Sequence, residues 1–381
     1  MSASVIVLTS VMKDAACGQQ TTRSDEVPLF DDGAILRVPV KMFGQTLYFV
    51  LDTGTSVSAL DVSFREKLGS PMSEVVNGVS AALEKKLILY KCPDFSVGDT
   101  RANLKQITSV DLSTVRKVSG ERCDGILAMD FLTNNVISLN FDSRILKIAT
   151  EVSGATKRES VALPLTQVSN KQVTIDAMVN LIIPLKLVID TGESWAMALN
   201  QDDWKAVFPA GARKDGASTK SAMLGVGTVS VPIARIDSLE IGPNRYAGVL
   251  CSFNAMRESR SHVGLAFLRR HFVTLNFPNR TLYLARGGHF SDVDEPDMSG
   301  LHLIREGDQT LVYSVDANSA AADVGIQAGD ILLSINSQNV AQMKMKDVRE
   351  RFKTKDGDKV AVEFTRGAQA KRIVLTLTKS L

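Results

Sequence analysis

The chain has 381 residues, 44% of them apolar and 23% charged, with a formal net charge of +2. That length leaves room for two or three domains, each with its own core. With charge so nearly balanced, nothing argues for nucleic acid or an anionic surface as the main partner, and none is expected.

Taken in chain order, the first segment is Ser4 to Met12, SVIVLTSVM, which is too short to span a bilayer. No basic residue stands between Met1 and this apolar run, whereas Ala15, Ala16 and Cys17 give it a small-residue end. Lys13 and Asp14 sit where a lipoprotein cleavage site at Cys17 wants apolar residues. An export signal and a plain tail both stay open, and with them an exported or a cytoplasmic location. No other stretch is apolar enough to be transmembrane, so nothing firm points to a membrane. Residues 13–28 are polar without periodicity, and disorder is expected there.

From Ile35 the pattern turns to strands. AILRVPVKMFGQTLYFVLDTG is expected to be a hairpin turning at Gly44-Gln45, its second strand running into Asp52-Thr53-Gly54. QVTIDAMVNLIIPLKLVIDTG repeats the arrangement and ends in Asp190-Thr191-Gly192. A given tripeptide arises by chance in a chain of this length about one time in ten. Two copies behind matching strands therefore mark a real repeat. The closings agree as well: FLTNNVISLNF (131–141) aligns without gaps on FLRRHFVTLNF (267–277). The interval from Asp52 to Gly125 differs by one position from that between Asp190 and Gly264. This is a duplicated, strand-rich unit of roughly 120 to 130 residues, too long a period for a solenoid.

Two strand-borne carboxylates facing each other form a site for activating water. Held close, they cannot both ionise, so one pKa rises and the other falls, and they titrate as a pair. One serves as base toward water while the other, protonated, polarises a carbonyl. No metal, cofactor or covalent intermediate is required. Gly54 and Gly192 suit a backbone that passes close to its mate, and Thr53 and Thr191 suit a hydrogen bond across the junction.

On these motifs the chain resembles the aspartic proteases of the pepsin and retropepsin superfamily, over roughly residues 30–286. It is similar to bacterial single-chain members whose lobes are each near the size of a retroviral protease subunit. The resemblance implies that Asp52 and Asp190 are catalytic and that Thr53 and Thr191 form the interlobe lock. It implies an apolar-apolar-Gly segment beneath each catalytic loop, matched by DGILAMDFL with Gly125 and HVGLAFL with Gly264. Thr55 fits the small residue that follows the family's motif, whereas the second lobe has Glu193 there. A carboxylate at that place raises the dyad's pKa values by repulsion or else points to solvent. Asp124 stands where an apolar residue is usual. Flap hairpins are expected around Asn77 to Lys85 and around LGVGTVSV (224–231).

Past Arg286, GGHFSDVDEPDMSG reads as a linker. NSAAADVGIQAGDILLSINSQNV (318–340) resembles a bacterial PDZ domain, and GLHL, Gly300, Leu301, His302 and Leu303, resembles its carboxylate-binding loop. The helix candidate QMKMKDVRERFK would line a peptide groove with Met345, Val348 and Phe352. Peptide C-termini are the expected partners there, and a spacer packed on the protease is the other reading.

The fold class expected is mainly β: a two-lobed aspartic-protease-like β-barrel repeat with a C-terminal PDZ-like α+β domain. The division is a tail at 1–29, lobe one at 30–150, lobe two at 161–286, a linker at 287–299 and the PDZ unit at 300–381. One chain carries both Asp-Thr-Gly turns, so the active site needs no second copy. The four histidines, His262, His271, His289 and His302, show no metal-ligand spacing and are expected to be surface or packing residues. The cysteines, Cys17, Cys92, Cys123 and Cys251, include no C-x-x-C pair, and a Cys92–Cys123 disulfide and buried thiols both stay open. The function expected is an aspartic endopeptidase acting on protein or peptide substrates. Its rival is a catalytically impaired scaffold that holds peptides without cutting them.

Overall fold

A computed structural model describes residues 24–80, 83–168, 171–209, 218–223, 227–254 and 259–379. The aligned closings of the repeat meet at its centre. Strand Val136–Asn140 pairs antiparallel with strand His271–Asn276, and Ser138 lies opposite Thr274. These two residues hold the same place in the repeat, so a pseudo-two-fold axis passes between them. Thr274 Oγ1 donates to Ser138 Oγ at 2.8 Å on that axis. Each strand then pairs with its own successor, Ile145–Ala149 on one side and Thr281–Arg286 on the other. Leu139, Leu146, Val273 and Leu275 are buried beneath this shared sheet.

The outermost strand of the sheet corrects an expectation. Ser24–Pro28, assigned to a disordered tail, pairs along its full length with Ile145–Ala149. Main-chain groups of an edge strand need partners whatever the side chains are, so a polar segment can complete a sheet. Val27 alone is buried there. Residues 1–23, with Cys17 and the apolar run, lie outside the described part.

Each lobe is built from the hairpin that delivers its Asp-Thr-Gly. In the first, Leu36–Met42 pairs with Gln45–Leu51, and Val38, Val40, Leu47, Phe49 and Leu51 are fully buried. The turn falls on Phe43-Gly44, one residue before the expected place, with φ of 53° and 71° at the two. Both central residues left-handed is the turn whose twist matches paired strands. In the second lobe Val173–Val179 pairs with Ile183–Ile189 around Asn180 to Ile182.

A third segment slots beside each hairpin. Gly125–Leu127 runs parallel to Gln45–Leu51 and antiparallel to Ala59–Asp61. His262–Val263 runs parallel to Ile183–Ile189 and antiparallel to Met197–Leu199. Both flap candidates are hairpins: Ser73–Ser80 with Leu83–Lys91, and Ser218–Met223 with Gly227–Ile241. Residues 81–82 and 224–226 of those segments lie outside the described part.

The C-terminal unit has its own sheet and core. Strand Leu301–Glu306 forms one edge, followed in the sheet by Gln309–Val315, Ile331–Ile335, Lys359–Arg366 and Gln369–Thr376. The helix is shorter than expected, Met345–Glu350, because Lys344 is extended and Val340–Gln342 forms a separate 3-10 turn. Met345, Val348 and Phe352 are buried in its core. Cys92, Cys123 and Cys251 are free, buried thiols. Among the described residues no helix is long and apolar enough to cross a membrane.

Candidate active site

Asp52 and Asp190 each sit just past a buried strand, on loops that meet across the pseudo-two-fold axis. The main chain fixes both in the same way. Asp52 N–H donates to Leu127 O and Asp190 N–H to Val263 O, each at 3.0 Å. Gly54 N–H then donates to Asp52 Oδ1 and Gly192 N–H to Asp190 Oδ1, each at 2.8 Å.

The threonines lock the loops reciprocally. Thr53 N–H donates to Thr191 Oγ1 at 3.1 Å, and Thr191 N–H donates to Thr53 Oγ1 at 3.0 Å. The same hydroxyls donate onward, Thr53 to Ile189 O at 2.6 Å and Thr191 to Leu51 O at 2.7 Å. Both side chains are buried, where an unpaired polar group costs about 1–3 kcal/mol. Satisfying four groups at once therefore holds the junction. The glycines are required by proximity: a Cβ on Gly54 would overlap the Asp190 carboxylate, and one on Gly192 would lie 2.8 Å from Asp52 Cγ. Gly125 and Gly264 are packed as tightly, the former against Ala59 O and the Phe49 ring, the latter against Trp195 O and Glu193.

The loops part company at the second carboxylate oxygen. Thr55 Oγ1 donates to Asp52 Oδ2 at 2.8 Å. The equivalent Glu193 does not take that place; its Oε1 accepts from Trp195 N–H at 3.0 Å. The group beside Asp190 Oδ2 is His262 Nδ1, at 3.2 Å. His262 thus departs from the surface or packing role expected of all four histidines. The other three keep to it: His271 is buried against the Tyr246 hydroxyl at 2.8 Å, while His289 and His302 pair with Asp292 and Asp316.

The electrostatics follow from burial. Loss of hydration pushes the dyad's carboxyls above the ordinary carboxylate range, and for Asp52 the Asp190 charge adds to it. The Asp52 side chain, close beside Asp190, works against that rise at Asp190. Burial also pushes Glu193 up to about 7, with Asp190 contributing repulsion, and pushes the His262 imidazole down to about 4 against the pull of Asp52. Glu193 is half-buried, its carboxyl accepting from Trp195 N–H. Asp124 is turned away from the site, accepting from Tyr48 N–H at 2.9 Å and pairing with Arg122 at 2.8 Å.

Three supports were not among the site residues expected from the sequence. Gln172 Nε2 of the second lobe donates to Gly54 O at 2.5 Å, tying that lobe to the first catalytic loop. Ser58 donates through Oγ and N–H to Asp130, and Ser58 Oγ accepts from Ala128 N–H. His262 is the third, and the departure of HVG from apolar-apolar-Gly is the signal that marks it.

An open cavity of ≈ 1950 Å³ contains the dyad and is lined by Leu87, Ile88, Ile126, Trp195, Ile233 and Phe253, among others. The cavity continues to Gly300, Leu301, His302 and Leu303. Leu301 and Leu303 are buried, Leu301 N–H donates to Ser299 Oγ at 3.0 Å, and Gly300 has φ of 73°.

The groove between Leu301–Glu306 and Met345–Glu350 is met by the first lobe's helix Ser113–Ser119. Arg349 donates to Val118 O and to Leu303 O, Lys117 pairs with Glu306 at 2.6 Å, and Gly120 abuts Met345.

Two family models match parts of the chain. Residues 38–131 match the family model described as aspartyl protease, and residues 311–366 match that of the PDZ domain. No curated protein matches the chain. Among solved structures, that of basic 7S globulin from soybean aligns with a TM-score of 0.42 at 10% identity, covering 72% of this chain and 97% of that one. The molecule is a mainly β, aspartyl-protease-like protein with a C-terminal PDZ domain.

Proposed function

We propose that this protein is an active aspartic endopeptidase whose catalytic pair is Asp52 and Asp190. The observation that carries the reading is the reciprocal threonine lock, which brings two buried carboxyls together in an open cavity. A site that holds one proton between two carboxyls contains a base and an acid together. The ionised carboxylate takes a proton from water, the protonated one donates to the peptide carbonyl, and a tetrahedral intermediate forms without a covalent enzyme adduct. Collapse of that intermediate returns a proton to the leaving nitrogen and restores the shared proton. Burial raises the carboxyls, so the singly protonated pair persists toward neutral pH.

The PDZ unit gates rather than simply recruits. Its peptide groove is engaged by helix Ser113–Ser119, and Leu112 and Val115 of that segment line the catalytic cavity. A peptide terminus entering the groove displaces a segment that borders the cleft.

Wild type, Asp52→Asn and Asp190→Asn should be incubated with an unfolded protein from pH 4 to 8 and the fragments sequenced. Cleavage by wild type, lost about 10²–10⁴-fold in each variant, is expected. Equal cleavage by all three would remove the dyad, and none by any would favour a peptide-holding scaffold.

A further inference from the structure

We infer that His262 is a positioning residue for the dyad, supplying to Asp190 the polar partner that the Thr55 hydroxyl supplies to Asp52. The inference rests on the peptidase reading above and assigns the asymmetry of the two loops a role.

The argument begins with the inner oxygens, which are held identically by Gly54 and Gly192 N–H. Each outer oxygen then needs one polar neighbour to keep the carboxyl in the plane that faces its mate. In the first lobe the motif's own next residue provides it, at 2.8 Å. In the second, the Glu193 side chain is turned to Trp195 N–H, so the motif's next side chain does not meet Asp190 Oδ2 as Thr55 meets Asp52. The imidazole takes that side-chain position from a different strand. His262 is held there by pairing on both sides, its main chain parallel to Val188 and antiparallel to Ala198.

The groups facing the imidazole set its behaviour. Asp190 is at 3.2 Å on the adjoining loop and Asp52 lies across the interlobe junction. Glu193 stands beside Asp190 on the same loop. Met197–Leu199, on the other flank, is apolar. Within its own segment, Arg260 lines the cavity and Ser261 is bonded to Asp203. Nδ1 stands 3.2 Å from the Asp190 carboxylate, and in acid the imidazolium adds a full charge to that contact. The contact favours ionised Asp190 and places the shared proton on Asp52. Loss of the imidazole should therefore make the dyad harder to ionise and move the acid limb of the rate profile upward. Apo-state contacts of this kind tighten when substrate fills the cleft.

The test uses the full chain. His262→Val is expected to lower kcat about 10-fold to 100-fold with little change in KM, and to raise the acid limb of kcat/KM by about one pH unit. His262→Asn, whose amide nitrogen falls near Nδ1, should recover activity to within a few-fold of wild type. The double variant His262→Val with Glu193→Thr restores a hydroxyl at the motif's own position and should recover both rate and profile. A lowered rate with an unshifted profile and no recovery in either partner variant would reduce His262 to packing and overturn the inference. A second measurement does not depend on turnover. With only four histidines in the chain, the His262 ring titration can be followed by NMR in wild type and in Asp190→Asn. Its pKa should fall in the variant as the carboxylate is lost, and an unchanged titration overturns the inference. A shifted titration in a protein that cleaves nothing would uphold the His262–Asp190 pairing and defeat the peptidase reading instead.

Discussion

In the first lobe the outer oxygen of the catalytic carboxylate is met by Thr55 Oγ1 at 2.8 Å, and in the second by His262 Nδ1 at 3.2 Å. Everything beneath that point is the same in both: the strand, the anchoring N–H, the glycine and the crossed threonines. The difference teaches where a duplicated site is free to vary. Main-chain contacts and the lock are shared across the pseudo-two-fold axis, so a change on one side breaks a partner on the other. The outer oxygen has no such mate, and any donor that reaches it will serve.

The comparison can be broken first at its shared elements, where the effects are largest. Gly54→Ala and Gly192→Ala each push a methyl into the opposing carboxylate, and cleavage should fall by at least about 100-fold, since a misplacement near 1 Å costs that much. Steady-state assays on folded protein, checked by circular dichroism, would show it. Retained activity in either variant would mean the loops are looser than the contacts imply.

Thr53→Val and Thr191→Val probe the lock. Each removes a hydroxyl that donates to one carbonyl and accepts one N–H, leaving both buried and unpaired. Each should cost about 1–3 kcal/mol in urea unfolding, by similar amounts if the axis is functional. A large loss in one lobe and none in the other would deny the reciprocity.

Glu193 sharpens the asymmetry, because only the second lobe has it. Its folded pKa is raised from 4.5 to about 7. Its stabilising contribution is therefore complete below the unfolded value and is lost as pH rises through about 7. Glu193→Gln should match wild type near pH 4 and exceed it by about 1–3 kcal/mol at pH 8. Melting curves at the two pH values decide it, and a difference independent of pH would place the carboxyl in water.

The smallest effect belongs to the PDZ contact. Lys117 and Glu306 are each nearly half exposed, so Lys117→Glu should change stability by less than about 1 kcal/mol. It should nonetheless strengthen binding of a C-terminal peptide to the groove, because repulsion loosens helix Ser113–Ser119. Unchanged peptide affinity in a titration would argue against gating.

Much of this was legible in the chain because it was written in local pattern. Two strand-plus-turn copies gave the pair of carboxylates, the gapless alignment of 131–141 with 267–277 gave the duplication, and the run from Gly300 to Val340 gave the PDZ resemblance. Misreadings came where a segment's fate depends on a distant edge. Ser24–Pro28 has no strand pattern of its own and is ordered by the exposed side of Ile145–Ala149. Gln172 is an unremarked polar residue until the fold sets its amide against Gly54 O.

The amino-acid sequence by itself determined that one chain carries two matched halves, since repeat spacing and strand period are properties of the order of residues. It also named Glu193 as the break in that symmetry. Only the tertiary structure decided what fills the break. His262 lies 72 positions after Asp190 in the numbering, and a contact over that separation is created by strand pairing, with His262 opposite Val188, and not by any local preference. The same physical reason holds for the threonine lock and for the helix on the PDZ groove: each joins groups far apart in the chain, through geometry that exists only once the sheets have formed.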